Sequence, residues 1–255
     1  MTNLRHAIGI ISISAVLTLS CSKDKDSGTP PVDPCDNILK VEQYNYYGNL
    51  QPWATIEYDE KGRVQHVTGE GLNASTYAYN KDNIVLTATD IYGANIGLTY
   101  FLDANGRVKG TSYFDNQFTY NADGYLVSFR QPYGNNNQIY GSTLYTLKYE
   151  NGDLTEIFTT ENVSWKKINF KYYDEPNQDV LGYNQPLYIG GVLGDRNSFY
   201  LIKAGFFGKT SAHLYKTLAI NDAWSNGQIQ YTKDAKGRIK STVGVGGYSF
   251  TYQCP

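Results

Sequence analysis

The sequence predicts an all-β protein whose antiparallel hairpin repeats form a barrel or strongly curved half-barrel, with a short helical insertion capping one mouth. Three observations lead there. The chain holds 24 Tyr and 25 Gly but one Met, and abundant Tyr with Thr, Val and Ile favours strands. A phrase recurs: Tyr58–Val64 reads YDEKGRV, and Phe101–Val108, Tyr120–Leu126 and Tyr231–Ile239 read FLDANGRV, YNADGYL and YTKDAKGRI. The aromatics that anchor it, Tyr58, Tyr79, Tyr100 and Tyr120, are spaced by 21, 21 and 20 residues, and Tyr231 to Tyr252 is again 21. That is the length of one hairpin, two strands of about six to eight residues with two turns.

At the start of the chain, Arg5 and His6 give a basic head, Ala7 to Leu19 is an apolar run broken only by small polar residues, and Cys21 follows Ser20. This is the layout of an export signal. About thirteen apolar-rich residues are too few to cross a bilayer comfortably. Leu17-Thr18-Leu19-Ser20-Cys21 resembles the lipobox of bacterial lipoproteins, with Thr18 where the usual pattern has Leu. The resemblance implies that residues 1–20 are a lipoprotein signal peptide and that Cys21 is the lipid anchor, a diacylglycerol supplying the two chains that stable anchoring needs. An ordinary cleaved secretory signal is the alternative. Residues 21–35 then form the lipidated Cys and a flexible tether, charged, small and Pro-rich up to Pro31. Its Lys/Asp cluster resembles the surface-export signal of Bacteroides-type lipoproteins, and is equally read as a plain spacer. The expected location is the outer membrane, with the periplasmic and surface faces both open.

Residues 36–255 read as a single β-hairpin-repeat domain. Cys35 and Cys254 stand at its head and one residue before its end. In an oxidising compartment this even pair is expected to form a disulfide, bringing the two ends together, and two unpaired thiols are the alternative.

Within the repeats, apolar residues fall at every second position: Ile56 and Tyr58, Tyr77 and Tyr79, Leu98, Tyr100 and Leu102, Phe118 and Tyr120, Leu147 and Tyr149, Ile168, Phe170 and Tyr172, Tyr248, Phe250 and Tyr252. Thr55, Glu57, Lys167, Asn169, Lys171, Ser249 and Thr251 lie between them. One face is oily and the other wet, as in a half-solvated antiparallel sheet. Gly62, Gly106, Gly124, Gly152 and Gly237 sit where a type I turn closed by a glycine bulge needs positive φ, and Asn83 is expected to take that role after Lys81-Asp82. Asp59, Asp103 and Asp123 read as turn residues, because "DANG" and "NADG" lack the further ligands of a calcium loop.

Tyr58-Asp59, Gly62-Arg63-Val64 and Tyr77-Ala78-Tyr79 resemble the YD, or Rhs, repeat, over about 40–130 and 228–252. With its size and leader, the chain resembles a Bacteroides family of uncharacterised lipoproteins with a porin-like fold. That resemblance implies shape and carries no catalytic residue. Most strands look shorter than the roughly nine to eleven residues of a membrane-spanning barrel, so a true pore is not expected.

Two segments break the period. From Tyr120 to Tyr149 the gap is 29 residues, and Gln131–Gly141 concentrates amides and aromatic rings. Tyr133, Asn135, Asn136, Asn137 and Tyr140, with Trp165 and Trp224, are the candidate ligand-binding residues, since rings stack on sugars and amides bond hydroxyls. Ordinary loop composition accounts for the same residues. Between Tyr173 and Gly227, Phe199, Ile202 and Phe206 fall at helical spacing after Asp195, Asn197 and Ser198, with Gly208 as a stop, which suggests a plug for one mouth or a binding lid. Tyr133, Tyr140, Trp165, Trp224 and His213 are the residues to examine for a shared cleft.

A net charge of -2 offers no basic surface, so nucleic acid is not an expected partner. Only His66 and His213 follow the leader, and neither metal nor cofactor is expected, because HExxH, CxxC, P-loop and GxSxG patterns are missing. The sequence thus points to a non-enzymatic envelope protein, held to the membrane by its anchor, that binds a glycan, peptide or partner protein. An envelope scaffold and a paired-carboxylate glycan hydrolase are the alternatives.

Overall fold

The computed structural model describes residues 33–45, 47–69, 72–90, 93–112, 118–135, 138–161, 166–178, 180, 198–224, 227–244 and 247–254. Strands run in order β1 (Ile38–Tyr44), β2 (Leu50–Tyr58), β3 (Val64–Gly69), β4 (Leu72–Tyr79), β5 (Asn83–Asp90), β6 (Asn95–Leu102), β7 (Val108–Thr111), β8 (Phe118–Tyr120), β9 (Leu126–Asn135), β10 (Gln138–Glu150), β11 (Asp153–Phe158) and β12 (Lys167–Pro176). Helix α1 (Phe199–Lys203) follows, then β13 (His213–Ile220), β14 (Ala223–Trp224), β15 (Gln230–Lys233), β16 (Ile239–Val243) and β17 (Tyr248–Tyr252).

The strands form two antiparallel sheets, β15-β16-β17-β1-β2-β3-β4-β5-β6-β7 and β14-β13-β12-β11-β10-β9-β8. Bulges bend them, and their inner faces enclose one core. The alternation places that core as expected: Ile56, Tyr77, Leu98, Tyr100, Phe118, Leu147, Ile168, Phe170, Tyr248 and Phe250 are buried, and Tyr58, Tyr79, Tyr120, Tyr149, Tyr172 and Tyr252 pack against them half-buried. Among the described residues no ladder joins the two sheets, so strand pairing there does not close the barrel. Most strands are short, but β9, β10 and β12 reach 10, 13 and 10 residues. The ends of the domain meet as expected: β1 pairs with β17, and Cys35 and Cys254 form a disulfide with Cα atoms 4.6 Å apart.

The recurring phrase is one piece of machinery. Asp59 Oδ1 accepts the N–H groups of Lys61 and Arg63 at 3.0 and 2.9 Å, and the Asp59 N–H donates to Arg63 O, closing the turn. Gly62 takes φ 73° there. Each hairpin then carries a bulge just after the turn, between Glu57/Tyr58 and Val64 in the first case. The bulge breaks the ladder and leaves a carbonyl to be satisfied otherwise. A tyrosine hydroxyl does so: Tyr79 donates to Val64 O at 2.6 Å, Tyr120 to Val108 O at 2.7 Å, Tyr172 to Leu154 O at 2.6 Å and Tyr252 to Ile239 O at 2.7 Å. The phrase's arginine covers that ring. The guanidinium carbons of Arg63, Arg107 and Arg238 lie 4.0, 4.4 and 4.3 Å from the ring centres of Tyr79, Tyr120 and Tyr252, while ion pairs of 2.6, 2.8 and 2.7 Å tie them to Asp59, Asp103 and Asp234.

Two turns differ from expectation. Asn83 is not left-handed; Asn80 closes its turn instead, by an N–H to Asn83 O and an amide to Asn83 Oδ1. At Gly152 the turn is two residues long, and Asn151 shares the positive φ, at 53° and 86°. That is the twist-matched turn of a tight hairpin rather than a glycine bulge. In YNADGYL the side-chain bond comes from Asn121, whose Oδ1 accepts the Tyr125 N–H, while Asp123 sits further round the turn.

Burial holds the hydroxyls of Tyr58, Tyr79, Tyr120, Tyr172, Tyr231 and Tyr252 protonated well above the ordinary phenol value of 10.0. A raised folded value means stability is complete below the unfolded value and is lost as pH rises above it. Unfolding by base is therefore expected to begin above about pH 10, with phenolate absorbance rising together with loss of near-ultraviolet dichroism; phenolate forming while the fold persists would contradict it. Tyr79→Phe leaves the Val64 carbonyl without its donor and is expected to cost about 1–3 kcal/mol in urea unfolding.

Candidate functional site

The two ends of the barrel differ in chemistry. All the turns just described gather at one end, with the disulfide, and there the insertion closes the mouth. Helix α1 begins after Ser198 and ends at Ala204, with Gly205 at φ 79° taking the stop expected of Gly208. Tyr200, Leu201, Ile202 and Phe207 are buried, and Phe206 is half-buried, stacked on Tyr79 at 5.6 Å. Phe207 meets Tyr100 and Phe118 edge-on at 6.4 and 5.3 Å. Backbone bonds then stitch the plug along the barrel end: Val108 N–H to Phe206 O, Lys209 N–H to Gly124 O, Ala212 N–H to Gly152 O and Asn177 N–H to Ala212 O. Gly208 lies so close to Gly124 O and the Tyr120 ring that a Cβ would overlap both.

Just past the plug, His213 Nδ1 lies 2.8 Å from Asp153 Oδ2, and the His213 N–H donates to Asp153 Oδ1. The neighbouring Ser211 hydroxyl accepts the Leu154 N–H and pairs with the Tyr172 hydroxyl. This network fastens the plug to the β10–β11 turn. Burial would raise the Asp59 and Asp103 carboxyls, but hydrogen bonds from Arg63 and Arg107 outweigh it and hold both below the ordinary carboxylate value of 3.8. Among the described residues no group of three or more His, Cys, Asp or Glu is placed to hold a metal ion.

The opposite end is the candidate binding surface. The β1–β2 loop there repeats the phrase's turn in disguise: Asn45 Oδ1 accepts the N–H groups of Tyr47 and Asn49, both at 3.0 Å, the Asn45 N–H donates to Asn49 O, and Gly48 takes φ 77°. The turn presents Tyr47, which is 83% exposed. The Tyr44 ring lies over Gly247, and Leu50 and Val243 are exposed on nearby strands. Among the described residues, Leu144 and Ile220 are exposed large apolar residues of the second sheet.

The long insertion is not an irregular loop. It extends β9 and β10 as a two-stranded ribbon beyond their pairing with β8 and β11, with Gln131 to Asn135 facing Thr143 to Gln138 and a bulge between Ile139 and Gly141. Tyr133 and Asn135 stand on β9, Tyr140 on β10 and Trp224 on β14, all toward the open end. Asn136, Asn137, Trp165 and Cys21 lie outside the described residues. His213 is at the plugged end and is not grouped with them. Sequence reasoning missed Tyr44 and Tyr47; the spacing Tyr44-Asn45-x-x-Gly48-Asn49 against Tyr58-Asp59-x-x-Gly62-Arg63 was the available clue.

Two bent antiparallel sheets around a ring-filled core define a porin-like β protein. Residues 36–241 match the family described as a domain of unknown function (DUF4595) with porin-like fold, and the chain belongs to that family. The family matched is the porin-like one, and nothing supports membership of the YD or Rhs repeats. No curated protein matches. Among solved structures the fold is similar to a porin-like protein from Bacteroides uniformis, with a TM-score of 0.58 and 15% identity over 85% of this chain and 96% of that one. A porin-like protein from Bacteroides vulgatus aligns at a TM-score of 0.40 and 13% identity, over 85% of this chain and 98% of that one.

Two glycines separate turn strain from plug packing. Gly48→Ala meets nothing within 4 Å and is expected to cost about 1–2 kcal/mol from positive φ alone. Gly208→Ala adds overlap with backbone and is expected to cost about 3 kcal/mol or more. Urea midpoints of the two variants measure the difference, and equal losses would contradict the packing described for the plug.

Proposed function

We propose that the protein is a lipid-anchored envelope component that binds a glycan, without catalysing a reaction, through the end of the barrel remote from its anchor. One observation carries this: the domain's first described residues are fixed at the plugged end by the Cys35–Cys254 disulfide, and Tyr44, Tyr47, Leu50 and Val243 are exposed at the other. A lipid on Cys21 would hold the plugged end toward the bilayer, and the eleven residues from Ser22 to Val32 reach at most about 40 Å. The open end would then face outward. Exposed tyrosine rings suit the flat faces of sugars, and the amide-rich sequence of the ribbon at the same end suits their hydroxyls.

A peptide or envelope protein is the second reading, favoured by the ribbon, whose strand edges suit β-augmentation. The likeness of the repeat to YD or Rhs units is one of phrase and adds no activity. A non-enzymatic role is supported by the engagement of the Ser211, Tyr172 and Asp153 side chains in bonds that hold the plug.

Metabolic labelling with palmitate should mark the wild type and not Cys21→Ala. A glycan array should return ligands whose binding to Tyr44→Ala/Tyr47→Ala is weaker by about tenfold, the loss typical of a central aromatic contact. An empty array with capture of an envelope protein would select the second reading. An empty array with an empty pull-down would overturn binding at this end, and release of sugars from a polysaccharide panel would overturn the non-enzymatic role.

A further inference from the structure

At the open end, strand alternation and register arrange one strip of side chains on the outer face of the first sheet. Val41 points into the core, so Glu42 and Tyr44 of the same strand point out. Tyr44 stands opposite Leu50 of β2, and its N–H donates to Gly247 O at the start of β17. Val243, one residue past the Thr242–Tyr248 pair, extends that row, and all three apolar side chains are exposed. In the row beneath, Glu42 stands between Pro52 of β2 and Ser249 of β17, and Ser249 faces Ser241 of β16. An apolar rim thus borders a row of hydroxyls that ends in a carboxylate.

Tyr44 is backed by the strand beside it. A Cβ at Gly247 would come within 2.9 Å of Tyr44 Cδ2, so the ring rests against bare backbone there while the residue stays exposed. Such backing orders a ring before a partner arrives, which lowers the cost of binding. The Glu42 carboxylate makes no hydrogen bond or ion pair among the described residues. It lies two residues along β1 from Tyr44, a rise of about 6.6 to 6.8 Å, so ring and carboxylate can reach one sugar unit together. Lys40 is a further step along the same face, level with Thr55 and Thr251 and away from the ring.

We propose that the glycan bound at the open end is built of neutral hexoses, and that Glu42 accepts two adjacent hydroxyls of the sugar whose flat face lies on Tyr44. The inference rests on the glycan reading above and adds to it the class of sugar and a second binding residue. An ionised carboxylate only accepts hydrogen bonds. Its two oxygens sit side by side, as neighbouring hydroxyls on a pyranose do, and a bond to a charged acceptor is about twice as strong as one between neutral groups. A uronic acid would set its own carboxylate against Glu42, and like charges brought together at a binding surface disfavour the partner that carries them. The strip therefore selects against acidic polymers.

Affinity electrophoresis of the full chain, in a detergent without a sugar head group, tests this in gels holding dextran, mannan, galactan or polygalacturonate. At least one neutral polymer should retard the protein, and polygalacturonate should not. Glu42→Gln should weaken that retardation by about tenfold, and Tyr44→Ala by about as much. Glu57→Gln removes a carboxylate exposed on β2 outside the strip and should leave it unchanged. Melting temperatures near the wild type will show that the variants fold. Retardation lost in Tyr44→Ala but kept in Glu42→Gln overturns the role of Glu42, and retardation by polygalacturonate as strong as by any neutral polymer overturns the class of sugar; both leave the glycan reading standing. Retardation by none of the neutral polymers overturns the inference, whereas the glycan reading itself falls with the empty array.

Discussion

The structure depends on one unmet need of the backbone. A hairpin closed by a bulge leaves a carbonyl at the start of its second strand without a ladder partner, and an unpaired buried carbonyl costs about as much as a hydrogen bond is worth. Here Val64, Val108, Leu154 and Ile239 are those residues, and Tyr79, Tyr120, Tyr172 and Tyr252 reach them from the following strand. Part of the recurrence of about 21 residues follows, because Tyr79, Tyr120 and Tyr252 fall at the last position of a strand that returns to the same end, whereas Tyr100 stands two residues before the end of β6 and its hydroxyl pairs with Ser198 Oγ. Burial keeps each phenol protonated, the only form that can donate to a carbonyl.

The same bond explains how two sheets behave as one body. Between β7 and β8 the ladder stops, yet Tyr120 still caps Val108 O across the gap and Phe206 O takes the Val108 N–H. At the other seam Tyr231 donates to Tyr215 O, Tyr173 to Ile229 O, and the Ile229 N–H to Lys216 O. Tyrosine supplies a long rigid reach with a donor at its tip and a ring for the core. A repeat held by side chains tolerates a break in strand pairing that a barrel held only by ladders would not.

Much of this was legible because it is local. Period-two aromatics fixed the inner face, glycines at positive φ fixed the turns, and an even cysteine pair placed the ends together. What was not legible lies in distant or disguised relations. Asn83 and Asn151 follow turn geometries that differ by a residue or two in length, which composition alone does not separate. In the insertion, helical spacing picked Ile202, which is buried, and Phe206, which packs half-buried against the core, but not Tyr200, Leu201 and Phe207, which are buried as well; a helix of five residues is too short for its periodicity to decide its face. Tyr47 was missed because its turn carries Asn45 and Asn49 where the phrase has Asp and Arg.

The difference between Arg63 and Asn49 in the same turn separates the two ends of the molecule. At the plugged end each arginine has a ring to cover and a carboxylate to hold, so the turn's sequence answers to packing. At the open end Asn45 and Asn49 reproduce the backbone bonds without either, and the residue carried at the tip is an exposed Tyr47 where Lys61 stands in the sister turn. A tyrosine there is 83% exposed and buries little of its ring, so burial in the core does not account for it. Removal of apolar ring surface from water favours contact with any flat partner, and the stability of the fold leaves that surface available.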